Sequence, residues 1–577
     1  MTKTDNVPPN FRSPIARVAW VVLILATLYI SYFANLSAVG FIGPDEPRYA
    51  WIARDMTQTG DWVTPRLYGK PWFEKPPLYY WGAAISFKLF GVNEAAARLP
   101  SALTALLGTL AIAWLGWRVY GAETARWLLL LLPTTAGMVG FSHAAATDMP
   151  FAGMLTIALV FAACLIGAIP YPASNSFVSS RLFIAFCFGL FLGLAILAKG
   201  PAGIVLAGGA VLFWSAFTKR WRDGFRCLHP VAIAGFCVTA LPWYVLCAER
   251  NPAFFRVFII EHNFKRYLTP EFQHVQPFWF YVPVLLVCFV PWVFWLVWTT
   301  WDGLRNLLFS LPKSPLVILL ASWSSFCFVF FSISKSKLPG YILPAVPPLG
   351  IVLAYRFVRA PRNPKWVGVF LAVFGCALVA ATEVIRQVHA QESLGNVQKI
   401  MLLTGVAVLL ALVAFSNWLL AAGYFTWKYA AVRESFRYFA IVLILVGLVV
   451  WPKFMSPYEH GAISPQIVAE GIQKRGIPVS RVFVWRNASR TWRYGASFYL
   501  HSEIGEWNPN DHQIAYVITG TAPCSDLQVT GYTSKMVRVT TGQGQWFVCA
   551  MTPINSMSSL GGQLGGFGGS GGSGTGR

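Results

Sequence analysis

The chain has 577 residues, of which 56% are hydrophobic and 16% aromatic, while only 12% are charged. Soluble domains carry about 25% charged residues, so a soluble globular protein is excluded and a polytopic helical membrane protein is indicated. The 45 Lys and Arg against 23 Asp and Glu do not mark a nucleic-acid binder, because the basic residues sit in short loops between apolar runs, where they fix orientation in the bilayer.

The predicted fold is mainly α, a transmembrane bundle of about thirteen spans followed by a small α/β domain. The spans lie near 18–40, 97–120, 123–141, 149–168, 182–198, 202–217, 229–247, 278–300, 314–332, 340–357, 366–385, 400–424 and 437–453. The first is too long for a signal peptide and has no small-residue cleavage motif. An odd number of spans places the termini on opposite sides. Loops carrying Lys219, Arg220, Arg222 and Arg226, then Arg356, Arg359, Arg362 and Lys365, then Lys428, Arg433 and Arg437, fall on one side with the tail that holds Lys3, Arg12 and Arg17. The positive-inside rule makes that side cytoplasmic. Ten cysteines show no CxxC pair and read as small core residues.

Five polar clusters then gather on the opposite, periplasmic face. They are the 41–96 loop with "GPDEPRYAWIARDM", "SHAAATDMP" at 142–150, "LAKGPAG" at 197–203, "EHNFKRYLTPEFQHVQPF" at 261–278, which runs from the 248–277 loop to the start of the next span, and "SKSKLPGYILP" at 334–344. Basic residues retained there, against the orientation trend, point to anion binding. In the first loop Asp45 and Glu46 stand between Pro44 and Pro47. Asp45 reads either as a helix N-cap or as a functional acid, with Glu46, Arg48 and Tyr49 as its support. Downstream, "KPWFEKPPLYYW" sets Glu74 and Lys75 among prolines and aromatics suited to the headgroup zone.

Ionisable groups at span ends are functional candidates. Asp148 in "ATDMP" joins Asp45 and Glu74 as a catalytic candidate. Lys199 and Lys337 either snorkel to the interface or hold a phosphate as point charges. Lys75, Arg266 and Tyr341 complete the candidate donor-phosphate set. Glu74 with His262 and His274 offers carboxylate and imidazole donors of the kind zinc accepts, without a recognised ligand spacing. No cofactor is otherwise required.

Residues 1–454 form the expected membrane domain. Residues 455–555 change character: "SPQIVAEGIQKRG" reads as a helix ending at Gly476, and "SRVFVWR" and "QIAYVIT" read as strands. This periplasmic α/β domain contains Cys524 and Cys549, whose compartment permits but does not require a disulfide. The Gly/Ser-rich stretch 556–577 is expected to be a flexible tail.

These motifs, in this order, carry a resemblance. "GPDEPRYAWIARDM" with "GDWVTPRLYGKPWFEKPPLYYW" looks like the opening periplasmic loop of C-superfamily membrane glycosyltransferases, and is most similar to the bacterial lipid A 4-amino-4-deoxy-L-arabinose transferase family. "ATDMP", "LAKGP", "EHNFKRYLTPEFQHVQPFWFYVP" and "SKSKLPGYILPAVPPLG" extend it over most of positions 40 to 355. The resemblance implies an inner-membrane enzyme that moves aminoarabinose from undecaprenyl phosphate to a phosphate of lipid A at the periplasmic face, with Asp45, the Glu74–Lys75 pair and Asp148 at the family's functional positions. Two other readings stay open: a relative with another polyprenyl-linked sugar or a protein acceptor, and a lipid transporter.

Overall fold

The computed structural model describes residues 14–169, 181–268, 275–293, 295–297, 314–359, 438, 441–442, 444–449, 464–511, 513–520, 524, 529, 532–537 and 547–554. The chain divides into two compact units, one of Met1–Ala38 with Tyr49–Phe454 and one of Val39–Arg48 with Met455–Arg577. The short segment after the first span, read from sequence as part of an outer loop, thus belongs with the C-terminal unit.

In the first unit, seven helices among the described residues are long and apolar enough to cross a bilayer, or eight if one bent pair is a single span. The predicted spans at 366–385 and 400–424, and about half of 437–453, lie outside the described residues. The first span is helix α1, Pro14–Tyr32, and stops well short of the expected boundary at 40. Between the first two spans the expected loop contains helix α2 (Asp45–Thr59), a short antiparallel hairpin of β1 (Arg66–Leu67) and β2 (Lys70–Pro71), and helix α3 (Leu78–Phe90). At 13 residues α3 is about 20 Å long, too short to span roughly 30 Å of hydrocarbon.

Helix α4 (Glu94–Tyr120) opens on an Asn93 cap that accepts from the Ala96 N–H at 2.8 Å. The predicted span 123–141 is in fact two helices, α5 (Ala122–Leu131) and α6 (Ala136–Ser142), bent by 62°. Pro133 lies at the break, where it removes a backbone donor and clashes with the preceding turn.

Helix α7 (Asp148–Leu165) is the axis of this unit, with nearly every residue buried. Helices in lipid gain little from apolar burial and rely on close packing of small residues. Gly153 on α7 illustrates this: a Cβ there would stand 2.5 Å from the Thr104 carbonyl of α4. Helices α8 (Arg181–Lys199), α9 (Ala202–Thr218), α10 (Trp221–Gly224) and α11 (Pro230–Arg250) follow. A π-helical turn over Arg256–Lys265 runs into the short α12 (Arg266–Leu268). Within the predicted span 278–300, helix α13 covers Tyr281–Cys288, and residues 293 and 295–297 are again helical. Helix α14 (Pro315–Ile333), a 3₁₀ segment over Pro339–Ala345 and α15 (Val346–Val358) follow, and residues 438, 441–442 and 444–449 are again helical.

Among its described residues after 463, the second unit has a four-stranded sheet and two α-helices. Helix α16 (Gln466–Lys474) ends just before Gly476, as the pattern predicts. Strand β3 (Val482–Val484) leads to helix α17 (Arg490–Tyr499), then to β4 (Ala515–Gly520), β5 (Tyr532–Val537) and β6 (Phe547–Pro553). The order is β3-β4-β6-β5, with β3 and β4 parallel and the other pairs antiparallel. A disulfide joins Cys524 to Cys549. The segment before α2 packs into this unit: the Phe41 N–H donates to the Tyr499 hydroxyl at 2.8 Å, and its ring lies edge-on to Phe498.

Candidate active site

Three motifs far apart in sequence meet at one point of the first unit. Asp148 is the first residue of α7 and Lys199 the last of α8. A carboxylate at a helix start and an ammonium at a helix end are each favoured by the helix dipole. Here they also face each other, with Lys199 Nζ 2.5 Å from Asp148 Oδ1 and side-chain exposures of 9% and 22%. Gly200, at φ +88°, ends α8 in the left-handed region that only glycine enters cheaply. Tyr341, from the 3₁₀ segment, lies beneath the same ammonium, 4.5 Å from Nζ to the ring centroid. Such a cation–π contact is worth about 0.5–2 kcal/mol.

The chain reaches this point closely at Gly340. A Cβ added there would stand 2.4 Å from Asp148 Oδ1 and 2.9 Å from the Phe141 ring. Gly340→Ala must therefore displace the carboxylate or the 3₁₀ segment. A shift of about 1 Å at a reacting centre costs about 100-fold in rate. Turnover of Gly340→Ala is expected to fall by that order, while the melting temperature of the detergent-solubilised protein moves by only a few degrees.

Lys337 is buried, and its ammonium donates to the carbonyls of Ser334 (2.5 Å) and Gln276 (3.0 Å). Burial, then the neighbouring Lys335, hold its pKa below the usual lysine range. Isolated pairing of Val275 with Ser336, and of the Lys335 N–H with the Tyr267 carbonyl at 3.0 Å, ties this loop to the segment after the π-helical turn.

The segment between α2 and α3 is stapled onto α8 and α11. Trp243 Nε1 donates to the Val63 carbonyl at 2.8 Å, and Asn251 Nδ2 to Thr64 Oγ1 at 2.9 Å. Phe73 packs with Leu197, Trp243, Phe254 and Phe258. Asp61 organises the turn before it, accepting from the N–H groups of Val63 and Thr64 at 3.1 Å each. Burial opposes its ionisation, but the Thr64 and Val63 N–H groups and Arg66 outweigh it, and the carboxyl sits below its ordinary range. Asp55, at the end of the quoted motif, goes the other way: burial raises it, more than Arg66 lowers it.

This stapling places Glu74 beside Lys75, 3.9 Å apart and both largely buried. Glu74 and His262 line one cavity of about 480 Å³, with Trp72, Arg250, Asn251 and Val257 among its other walls. No group of three or more His, Cys, Asp or Glu that could hold a metal occurs among the described residues. His274 lies outside them, and so does the side chain of Arg266. Arg250, Asn251 and Gly340 escaped the sequence reading, since none carries a motif signal beyond its neighbours.

Asp45, Glu46 and Arg48 belong to the other unit. Asp45 occupies the first turn of α2, not an uncommitted loop, and pairs with Arg48 at 2.5 Å across one helical turn. Glu46 accepts from the Ile42 N–H at 2.7 Å. Tyr49 lies in the first unit, its ring against Tyr79 and Tyr80.

Comparison with known proteins bears on the family and the fold. Residues 18–258 match the family described as dolichyl-phosphate-mannose-protein mannosyltransferase. An undecaprenyl phosphate-alpha-4-amino-4-deoxy-L-arabinose arabinosyl transferase of Serratia proteamaculans (strain 568) is 31% identical over 417 residues, 70% of this chain and 71% of that one. The enzyme of the same name from Edwardsiella ictaluri (strain 93-146) is 31% identical over 332 residues, and the match spans only 58% of its length. The crystal structure of ArnT from Cupriavidus metallidurans bound to undecaprenyl phosphate shares the fold, with a TM-score of 0.70, 24% identity, and coverage of 92% of this chain and 98% of that one. The transporter reading falls with these matches. The chain belongs to the undecaprenyl phosphate-alpha-4-amino-4-deoxy-L-arabinose arabinosyl transferase family of multi-pass membrane glycosyltransferases.

Proposed function

We propose that this enzyme transfers 4-amino-4-deoxy-L-arabinose from undecaprenyl phosphate to a phosphate group of lipid A, at the periplasmic face of the inner membrane, with its N-terminus cytoplasmic. The observation that carries the reading is the Asp148–Lys199–Tyr341 junction. It gathers three of the motifs on which the resemblance rests, and it holds a fixed cation of the kind a phosphate leaving group needs.

The chemistry follows from charge. As the glycosidic bond breaks, negative charge grows on the polyprenyl phosphate, and preorganised cations lower that barrier. Lys199, held by Asp148, serves this purpose, with Lys75, Arg266 and Lys337 as further cations and Tyr341 as the platform for the ammonium. The acceptor phosphate has a second pKa of about 6 and is already ionised near neutral pH. It needs little general-base assistance, so Asp45 acts by orienting the acceptor or by pairing with the sugar's ammonium. Attack in a single displacement inverts the anomeric centre. A purified enzyme given radiolabelled lipid-linked aminoarabinose, with lipid A and protein acceptors in parallel, tests the assignment. Label in the protein fraction alone would overturn it in favour of a protein-acceptor relative.

Glu74 and His262 supply two donors suited to zinc, which normally takes four ligands. No third joins them among the described residues, and no step is routed through an ion. Elemental analysis of purified wild type and Glu74→Gln should show zinc lost in the variant if the pair holds metal. Full activity in demonstrably metal-free protein would leave any ion outside the chemistry.

A further inference from the structure

The C-terminal unit carries a basic face that the donor chemistry does not use. Between 480 and 493 the chain reads "SRVFVWRNASRTWR", with Arg481, Arg486, Arg490 and Arg493 and no acidic residue. Arg490, Arg493 and Tyr494 stand at i, i+3 and i+4 on α17, which puts them on one side of that helix. The Arg48 guanidinium lies 5.6 Å from the centroid of the Tyr494 ring. Arg48 in turn holds Asp45 at 2.5 Å. Arg493 Nη1 meets one carboxylate, the exposed Glu506, at 3.3 Å, while its Nε is buried without a hydrogen-bond partner. Arg486 and Arg490 are exposed.

We infer that the arginine face of α17, with Arg486 at its approach, binds the phosphate groups of the acceptor glycolipid and so presents the acceptor to Asp45. This rests on the proposed function and adds to it a site for the second substrate. The argument is one of charge and geometry. Arginine offers planar, paired donors that match phosphate oxygens. The face is linked through Tyr494 and Arg48 to the aspartate that opens α2, within one compact unit. A merely solvated basic surface would have no reason to run into that aspartate through a buried arginine.

The test uses the full-length enzyme. Arg490→Gln, Arg493→Gln and the double variant are assayed for KM towards lipid A, for kcat, and for affinity towards undecaprenyl phosphate. Loss of two arginine–phosphate contacts should raise the acceptor KM by about tenfold or more. Donor affinity and kcat should stay within about twofold, and Arg490→Lys/Arg493→Lys should recover part of the loss. An unchanged acceptor KM in the double variant overturns the inference, as does an equal loss of donor affinity. If wild type fails to use lipid A at all, the proposed function fails first. Binding to vesicles containing phosphorylated or dephosphorylated lipid A then decides the site by itself. Binding that needs the lipid phosphates and weakens in the double variant supports the site. Equal binding by wild type and variant overturns it, and so does an equal weakening on phosphatidylglycerol vesicles, which marks general attraction to an anionic surface.

Discussion

Asp45→Asn should abolish transfer while leaving the protein folded. Asn remains a good residue at a helix start, and it can still accept a hydrogen bond from Arg48, whose guanidinium now meets Asp45 at 2.5 Å. The substitution removes the charge and little else. Positioned charge and acid–base groups contribute about 10²–10⁴-fold, so kcat should fall by at least 100-fold. Asp45 is half exposed, and the lost ion pair costs about 1 kcal/mol or less; the melting temperature should move by no more than a few degrees. An Asn variant with most of its activity would return Asp45 to the role of a helix cap.

Lys199→Met is expected to be damaging in two separable ways. The Lys199 side chain is 9% exposed and that of its partner Asp148 22%. Removing one member of a buried pair leaves the other charge uncompensated, at a cost of up to about 3–5 kcal/mol. Asp148 retains some access to solvent, which places this case at the lower end. The same change deletes the cation proposed for the donor phosphate. The double variant Asp148→Asn/Lys199→Met separates the effects. It restores apolar and neutral groups together, so stability should recover by about 1–2 kcal/mol over the single variant, while donor affinity and turnover stay lost. Recovery of turnover along with stability would show that the pair is structural only.

Much of this site was legible because charge is scarce in an apolar chain. Asp148, Lys199 and Lys337 stood out as ionisable groups at span ends, and the spans read at 182–198 and 202–217 leave "LAKGPAG" as the junction between them. What no spacing rule supplies is the partner. Asp148 and Lys199 are 51 residues apart, and each alone reads equally well as a snorkelling or capping group. Helix α2 was legible as the helix that one of the two readings of Asp45 would cap, whereas α3 was hidden because it is too short to register as a span. The bend between α5 and α6 was visible as Pro133, but an apolar window smooths over one proline. Strands β3 and β4 of the C-terminal unit were visible as alternating runs. That Val39–Arg48 packs with them was not, because its partners lie more than 400 residues away.

That packing has a bearing on how the enzyme is made. Phe41 and Tyr499 are separated by 458 residues. At 5–20 residues per second, the ribosome needs roughly 20 to 90 s between them. Throughout that interval Asp45 and Arg48 have left the first span without the surface that will hold them. Their setting is completed only when translation is nearly over, so a nascent chain that is truncated or stalled after its last span can insert normally and still be born inactive.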